Sequence, residues 1–178
     1  MILRDFAAAD VPAANAITNH YIRHTQIHFA YEPESDADFE AYWRGGHRRF
    51  PWIVAEVDGR VVGYCKCGAW RDRVAYRRTV EAGLYVASDC QRRGIGRALY
   101  TELLARLDAS DVHTVVAGIA LPNEASVRLH EALGFQPVGT FREVGWKFDQ
   151  WCDVGFWQLM LRAGRCAASE PPAGSPNT

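Results

Sequence analysis

The sequence predicts an α/β protein with a mixed β-sheet that carries helices on both faces. Two observations support this fold class. In the first half, two apolar stretches flank the two-residue loop Asp58-Gly59, which is typical of an antiparallel hairpin. In the second half, strand-like and helix-like segments alternate, which favours parallel neighbours joined through helices. A chain of 178 residues is expected to form one domain around one core.

Two helices are predicted before the hairpin. Apolar residues spaced three to four apart over residues 11–21 predict the first helix, and Pro12 lies in its opening turn. The second helix is predicted over residues 36–44, because Ser35 and Asp38 form a capping-box pattern ahead of an apolar stripe.

Strands and two further helices follow along the chain. The strands are predicted over residues 52–57, 60–70, 79–86, 114–119, 138–141 and 154–161. Leucines four residues apart predict a third helix over residues 97–107, and residues 124–133 predict a fourth that ends at Gly134. From residue 164 the composition changes to Ala, Ser, Pro and Gly, so we expect a folded domain over residues 1–163 and a disordered tail over residues 164–178.

Composition limits the possible partners. A formal net charge of -1 gives no overall electrostatic reason to bind nucleic acid or an anionic membrane. The five cysteines are scattered and lack the paired spacing of a zinc site, so we expect reduced thiols, no metal and a cytoplasmic protein. No apolar stretch has the length of a signal peptide or of a membrane span.

The segment QRRGIGRAL, residues 91–99, lies between a predicted strand and a predicted helix. The N–H groups of a helix N-terminus are unpaired, and glycines there allow a phosphate to approach the backbone. Gly94 and Gly96 therefore favour an anion cradle, although a tight turn beside solvated arginines also explains a bare G-x-G pattern. The phosphate-binding loop of NTPases and the dinucleotide fingerprint both require other glycine patterns, so neither is predicted.

This segment resembles the Q/R-x-x-G-x-G/A signature of the GNAT superfamily of N-acetyltransferases. Asn123 and Ser126 at the start of the next helix, and Leu133-Gly134-Phe135 at its end, extend the resemblance. More narrowly, NHYIRHTQIHFAYEP, TVEAGLYV, LPNEASVRLHEALGF and GWKFDQWCDVGFWQ are similar to segments of the phosphinothricin N-acetyltransferases, which also acetylate methionine sulfoximine and related amino acids. The resemblance implies a GNAT fold, with about seven strands splayed in the middle of the sheet. It also implies acetyl-CoA in the cleft, a homodimer and direct acetyl transfer in a ternary complex.

Acetylation of an amine requires a base for the ammonium proton and a proton for the departing thiolate. Glu81 is the candidate base, because it lies on the strand face opposite Val80 and Ala82, although a solvated surface carboxylate fits this alternation equally well. The resemblance of TVE to the family segment supports the base. His130 is the candidate acid, since the resembled branch has histidine where most of the superfamily has tyrosine. A structural histidine packed in the helix is the alternative.

The resemblance implies mostly backbone contacts with acetyl-CoA. The candidates are Leu84, Tyr85 and Val86 for the pantetheine arm, Arg92, Arg93, Gly94, Ile95, Gly96 and Arg97 for the pyrophosphate, and Asn123 and Ser126 at the start of the next helix.

Four arginines before the Glu81 strand are candidates for binding an acidic acceptor, because guanidinium suits carboxylate or phosphinate. They are Arg71, Arg73, Arg77 and Arg78. Arg77 is preferred, since a sulfoximine-acetylating relative has arginine there; other phosphinothricin enzymes do not, which leaves the herbicide open as the preferred substrate. Phe29 and Tyr31 of the aromatic loop over residues 28–33, together with Trp70, are candidates for the pocket wall, although most aromatic residues of such a domain belong to the core.

The expected function is acetyl transfer from acetyl-CoA to the amino group of phosphinothricin, methionine sulfoximine, methionine sulfone or a similar small amino acid. Two alternatives stay open, a GNAT that acts on a protein N-terminus or a polyamine, and a non-catalytic acyl-CoA-binding module. The arginine cluster argues against a polyamine. The presence of both Glu81 and His130 argues against the silent module.

Overall fold

The computed structural model describes residues 1–46 and 49–161, so the predicted tail over residues 164–178 and the last two residues of the predicted domain lie outside the described residues. The described helices are α1 (Val11–His24), α2 (Asp36–Gly46), α3 (Ile95–Asp108) and α4 (Glu124–Ala132). The strands are β1 (Ile2–Asp5), β2 (Trp52–Val57), β3 (Arg60–Ala69), β4 (Thr79–Val86), β5 (Thr114–Leu121), β6 (Gln136–Lys147) and β7 (Gln150–Met160).

These seven strands form one mixed sheet in the order β1-β2-β3-β4-β5-β7-β6. The β4–β5 pair is parallel, whereas each of the other described neighbours is antiparallel. The alternation of β2 shows that both faces are covered. Ile53 packs into the core cluster that contains the leucines of α3, and Val54 packs into a second cluster with residues of α1 and α2. The predicted mixed sheet with helices on both faces is therefore confirmed.

The sheet opens between β4 and β5. Their pairing runs from Thr79–Thr114 to Glu81–Val116 and ends there. Beyond this point each strand continues toward its carboxyl end, β4 to Val86 and β5 to Leu121. The splay implied by the resemblance is thus present, and it exposes strand backbone in the middle of the sheet.

Two parts of the sheet differ from the sequence-based expectation. β1 was not predicted, because it is only four residues long and lacks a fully buried side chain. The last two strands are much longer than predicted, since they run through the aromatic segment as a hairpin that turns at Phe148 and Asp149, both with positive φ. Register shifts in β6 interrupt the period-two pattern, which is why the strand was predicted only over residues 138–141.

Among residues 1–46 and 49–161, no helix combines the length and apolar character needed to cross a bilayer. Cys65, Cys67, Cys90 and Cys152 are buried free thiols, and Cys166 lies outside the described residues.

Candidate active site

A cavity of about 620 Å³ opens where β4 and β5 diverge. Its walls come from β4, the start of α3, β5 and α4. Most of the predicted cofactor residues line it, namely Leu84, Tyr85, Val86, Arg92, Gly94, Ile95, Gly96, Arg97, Asn123 and Ser126. Arg93 is not among the lining residues; it is exposed, and its guanidinium lies 3.9 Å from the Sγ of Cys90.

The N-terminus of α3 has the geometry of an anion cradle. Gly94 caps the helix with φ of +79°, a backbone conformation that favours glycine. A Cβ on Gly96 would lie 3.1 Å from Leu84 Cδ2 and 3.4 Å from Leu129 Cδ2, so a side chain there would crowd the cavity wall. The first N–H groups of the helix have no acceptor within it, and they carry partial positive charge. A phosphate fits this end of the cavity.

Tyr21 of α1 also lines the cavity, and the sequence did not single it out. Its hydroxyl donates a 2.6 Å hydrogen bond to the carbonyl oxygen of Val86 at the end of β4 and accepts one from the amide of Gln91. These contacts fix the strand end next to the glycine segment. No short-range pattern links residue 21 with residue 86, so only the fold reveals the contact.

Helix α4 and its N-cap residue form another wall of the cavity. Asn123 caps this helix, because its side-chain oxygen accepts a hydrogen bond from the N–H of Ser126. The side chain of Asn123 therefore already has a structural role at the cavity edge.

His130 lines the same cavity but is only 3% exposed. Its Nδ1 lies 2.8 Å from the carbonyl oxygen of Ser126, and this contact requires the proton on Nδ1. Nε2 lies 3.2 Å from the hydroxyl of Tyr100 and therefore accepts from it. Burial lowers the pKa of His130 below its ordinary value, so the ring is neutral at pH 7.

Glu81 lies where the two strands begin to separate. Its neighbours Val80 and Ala82 are buried on the other face, as the alternation predicted. Glu81 itself is exposed, and its Oε1 would lie 3.5 Å from a Cβ placed on Gly118 of β5. Partial loss of solvent raises the pKa of this carboxyl group, while the positive charges of Arg71 and Lys66 oppose the rise. A carboxylate with a raised pKa beside the opening is suited to accept a proton.

A second cavity, of about 210 Å³, lies on the face covered by α1 and α2. It is lined by Thr18, His28, Glu34, Phe39, Tyr42, Tyr64, Lys66 and Tyr85. Tyr85 lines both cavities, so β4 separates them. Burial, reinforced by the charges of Lys66 and Lys147, lowers the pKa of His28 to about 4, and this ring is therefore neutral at pH 7. The charged groups that line the smaller cavity are thus the ammonium of Lys66 and the carboxylate of Glu34, and most of the other lining residues are aromatic.

The predicted acceptor residues do not line either cavity. The ring of Phe29 fills the space where Gly145 would carry a side chain, and the hydroxyl of Tyr31 donates to the carbonyl oxygen of Trp146. Both aromatic residues thereby attach their loop to β6. Arg77 is exposed, and its carbonyl oxygen accepts a 3.0 Å hydrogen bond from Arg49.

Trp70 and Arg71 lie close to the base. The Trp70 ring packs edge-on against Phe156 at 5.7 Å, and the guanidinium of Arg71 covers the Trp70 ring at 4.3 Å. Arg71 is the cation with the largest influence on the pKa of Glu81. The structure therefore brings Arg71, from the predicted arginine cluster, into the field of the carboxylate.

Lys147 is a buried cation that the sequence reasoning missed. It is 2% exposed, and its Nζ donates to the carbonyl oxygens of Ile22, Thr25 and His28 at 2.7, 3.0 and 2.6 Å. The ammonium group thus joins the end of α1 and the loop after it to β6. The available signal was a lysine within the aromatic segment GWKFDQWCD, but its partners are more than one hundred residues away in sequence.

No cluster of three or more His, Cys, Asp or Glu side chains suited to a metal ion occurs in the described part of the chain.

Comparisons with known proteins relate this geometry to a family. Residues 15–135 match the model of the acetyltransferase (GNAT) family. The chain is 46% identical over 156 residues to a phosphinothricin N-acetyltransferase of Streptomyces viridochromogenes, covering 88% of this chain and 85% of that protein. It is 36% identical over 167 residues to an L-methionine sulfoximine/L-methionine sulfone acetyltransferase of Pseudomonas paraeruginosa, covering 93% of this chain and 97% of that protein.

A solved structure agrees with the sequence relatives. A crystal structure of a GNAT superfamily phosphinothricin acetyltransferase from Sinorhizobium meliloti, in complex with AcCoA, matches with a TM-score of 0.90 at 32% identity. The match covers 97% of this chain and 94% of that chain. The family match over residues 15–135 includes β4, α3 and α4, the elements that form most of the larger cavity.

Proposed function

The chain belongs to the acetyltransferase (GNAT) family and is an acetyl-CoA-dependent N-acetyltransferase, and we propose that its acceptor is the amino group of a small amino acid or analogue. The proposed acceptors are phosphinothricin, methionine sulfoximine and methionine sulfone, after the names of its relatives. The observation that carries the proposal is the opening between β4 and β5, where a carboxylate with a raised pKa lies beside the cavity suited to the cofactor.

The larger cavity fits acetyl-CoA, which supplies the thioester that the amine attacks. Beyond the paired part of β4, the backbone groups of residues 84–86 face the opening, where an extended pantetheine arm can pair with them as an added strand does. The α3 N-terminus is proposed to bind the pyrophosphate through backbone N–H groups, with positive charge from Arg92, Arg93 and Arg97. Asn123 and Ser126 are proposed to contact the cofactor at the start of α4.

Glu81 is proposed to accept the proton of the acceptor ammonium, directly or through water, so that the neutral amine can attack the thioester carbonyl in a ternary complex. The exposure of this carboxylate at the splay supports the role, since an acceptor can approach it from the face of α1 and α2. His130 is proposed to act on the leaving thiolate. Because the Nδ1 proton is donated to the carbonyl oxygen of Ser126 and Nε2 accepts from Tyr100, Nε2 must first take up a proton, from solvent or from the acceptor amine, before it can protonate the thiolate.

The α-carboxylate of the acceptor requires a cation near Glu81. The sequence favours Arg77, and the influence of Arg71 on the pKa of Glu81 adds Arg71 as a second candidate. Phe29, Tyr31 and Trp70 are proposed to form the outer wall of the acceptor site. Phe29 and Tyr31 remain 37% and 63% exposed, which leaves ring surface for such a contact.

The functional assembly is proposed to be a cytoplasmic homodimer. β6 lies at the edge of the sheet, and seven large apolar side chains of the terminal hairpin are exposed. They are Val138, Phe141, Val144, Trp146, Phe148, Trp151 and Met160. An exposed apolar edge of this kind is a site for pairing with a second copy. Light scattering coupled to size-exclusion chromatography is expected to give a dimer, and a monomer at every concentration contradicts the assembly.

The decisive experiment measures thiol release from acetyl-CoA with phosphinothricin, methionine sulfoximine, methionine sulfone, other free amino acids and spermidine. We expect turnover on the amino acids and not on spermidine. Turnover on phosphinothricin would also predict herbicide resistance in cells that express the enzyme. Acetyl-CoA binding without turnover on any amino acid would contradict the proposed acceptor class.

The variant Glu81→Gln tests the base. We expect kcat to fall by about 10²- to 10⁴-fold, as is typical when a general base is removed. Binding of acetyl-CoA should change little, because Glu81 does not line the larger cavity. Glu102→Gln, on the half-exposed flank of α3, is the matched control that removes a carboxylate away from the opening. Near-normal turnover of Glu81→Gln would refute its role as the base.

A further inference from the structure

The side chain of Lys66 lies on the face of the sheet that α1 and α2 cover. Its stem crosses β4 at Gly83, where a Cβ would lie 3.7 Å from Lys66 Cε. Its Nζ lies 4.1 Å from the ring centre of Tyr42 and 5.1 Å from that of Trp52. Lys66 also lines the smaller cavity. The ammonium group is thus directed into a cavity beside the strand that carries Glu81.

This cation has no ionic partner within residues 1–46 and 49–161. No carboxylate oxygen of the described residues lies within 4.0 Å of Lys66 Nζ, and no described side-chain or backbone oxygen accepts a hydrogen bond from it. The other lysine of the chain, Lys147, donates to three carbonyl oxygens. The two aromatic rings shield part of the Lys66 ammonium from water and leave its donors unused.

The position of Lys66 relative to Glu81 follows from the strand register. Lys66 pairs with Gly83, and Gly68 pairs with Glu81, so Lys66 and Glu81 are diagonal neighbours on one face. Diagonal neighbours are about 7–8 Å apart at the backbone, and the Lys66 ammonium points toward α2 and β2 rather than toward β5. An acceptor whose amine faces Glu81 therefore places its side chain, and not its α-carboxylate, within reach of Lys66.

We propose that Lys66 is a specificity-determining residue that binds an acidic group on the side chain of the acceptor. The inference rests on the proposed function and narrows it to amino acids with a carboxylate or phosphinate side chain, which the enzyme prefers over neutral analogues. Arg71 and Arg77 remain the cations for the α-carboxylate, which lies two bonds from the attacking amine. A neutral sulfone reaches the same cavity without an ionic contact.

Glu34 would favour an acceptor side chain of the opposite charge. It lines the same cavity, and its backbone is fixed by hydrogen bonds with Asn15 and Asn19. Its carboxylate would attract an acceptor with a basic side chain. The experiment must therefore include a cationic amino acid beside the anionic and neutral ones.

The test compares initial rates with phosphinothricin, methionine sulfone and ornithine for the native enzyme, Lys66→Met and Lys66→Arg. For Lys66→Met we expect KM for phosphinothricin to rise roughly 10- to 100-fold, the range for loss of a hydrogen bond to a charged group, with kcat little changed. KM for methionine sulfone should stay nearly constant, and Lys66→Arg should retain most of the preference. Arg23→Met removes a positive charge from the exposed face of α1 and is the matched control.

Four results would overturn the proposal. An equal loss on phosphinothricin and methionine sulfone would mean that Lys66 supports the site without selecting the acceptor. A native preference for ornithine would assign the cavity to Glu34. If Lys66→Met turns over methionine sulfone and keeps the native selectivity, the role of Lys66 is rejected and the proposed function stands. If the native enzyme turns over no amino acid, both the role of Lys66 and the proposed function are rejected.

Discussion

Replacing Lys147 by Met should destabilise the fold and loosen the acceptor side of the site. The ammonium of Lys147 donates to the carbonyl oxygens of Ile22, Thr25 and His28, all within 3.0 Å. Methionine has a similar length but no donor, so these carbonyl oxygens lose their shared partner. Burial lowers the pKa of Lys147, yet three acceptors around one nitrogen favour the charged form.

The expected loss can be derived from these contacts. A hydrogen bond to a charged group contributes about 1.5–3 kcal/mol, and a buried acceptor left without a partner costs about 1–3 kcal/mol. Lys147→Met removes the charge itself and leaves neutral carbonyl oxygens behind, so no uncompensated buried charge adds to this cost. Thr25 and His28 are only partly buried, so water can satisfy part of the deficit. We therefore expect the free energy of unfolding to fall by about 3 kcal/mol, the upper end of the range for one hydrogen bond to a charged group.

Urea unfolding followed by tryptophan fluorescence measures this loss. Lys66→Met is the matched control, because it is the same substitution at the only other lysine, whose contacts are cation–π contacts worth about 0.5–1 kcal/mol at exposed sites. The acceptor KM should rise in Lys147→Met, since the loop with Phe29 and Tyr31 loses its attachment, while acetyl-CoA binding should persist. A stability loss equal to that of the control would refute the reasoning.

Two other predictions concern the chemistry. The plot of kcat/KM against pH should rise through a pKa above the ordinary value for glutamic acid, because Glu81 must lose its proton before it accepts one. Arg71→Met should move this limb to higher pH, since Arg71 lowers the pKa of Glu81; an unshifted limb in the pH–rate profile would separate Arg71 from the base. His130→Phe keeps an aromatic ring beside Tyr100 and removes both nitrogens, so kcat should fall about 10²-fold or more at constant acceptor KM if His130 acts on the thiolate. Unchanged kcat, measured beside thermal unfolding, would assign His130 a structural role.

Local patterns were sufficient to predict most of the fold. The alternation of β4 correctly separated Glu81 from Val80 and Ala82, and glycines at the start of α3 marked the cavity end. The predicted strand boundaries were wrong where the hydrophobic pattern was short or interrupted. β1 is four residues long, and the shifted register of β6 hides its period of two.

The site was less predictable because its cations act across long sequence separations. The resemblance to a sulfoximine-acetylating relative favoured Arg77, whereas stacking on Trp70 brings Arg71 into the field of the carboxylate. Lys66 lies fifteen residues before Glu81, yet the register makes the two diagonal neighbours. Lys147 meets its partners from α1 and the following loop across sequence separations of 125 and 119 residues. Charges of this kind carry no periodic signal, so only the tertiary structure identifies their partners.

The arrangement of β4 favours the proposed direct transfer over an acyl-enzyme. Tyr85 lines both cavities, so the cofactor and the acceptor can occupy opposite sides of one strand at the same time. The one thiol that lines the larger cavity, within the described residues, belongs to Cys90. Cys90 comes four residues after Val86, the last residue of β4. Val86 is itself about 16 Å from Glu81 along the extended strand. The thiol is also 5% exposed and lies 3.4 Å from the guanidinium of Arg60. Cys90 therefore lies near the N-terminus of α3, too far from Glu81 for an acetyl group on its sulfur to meet an amine that Glu81 deprotonates.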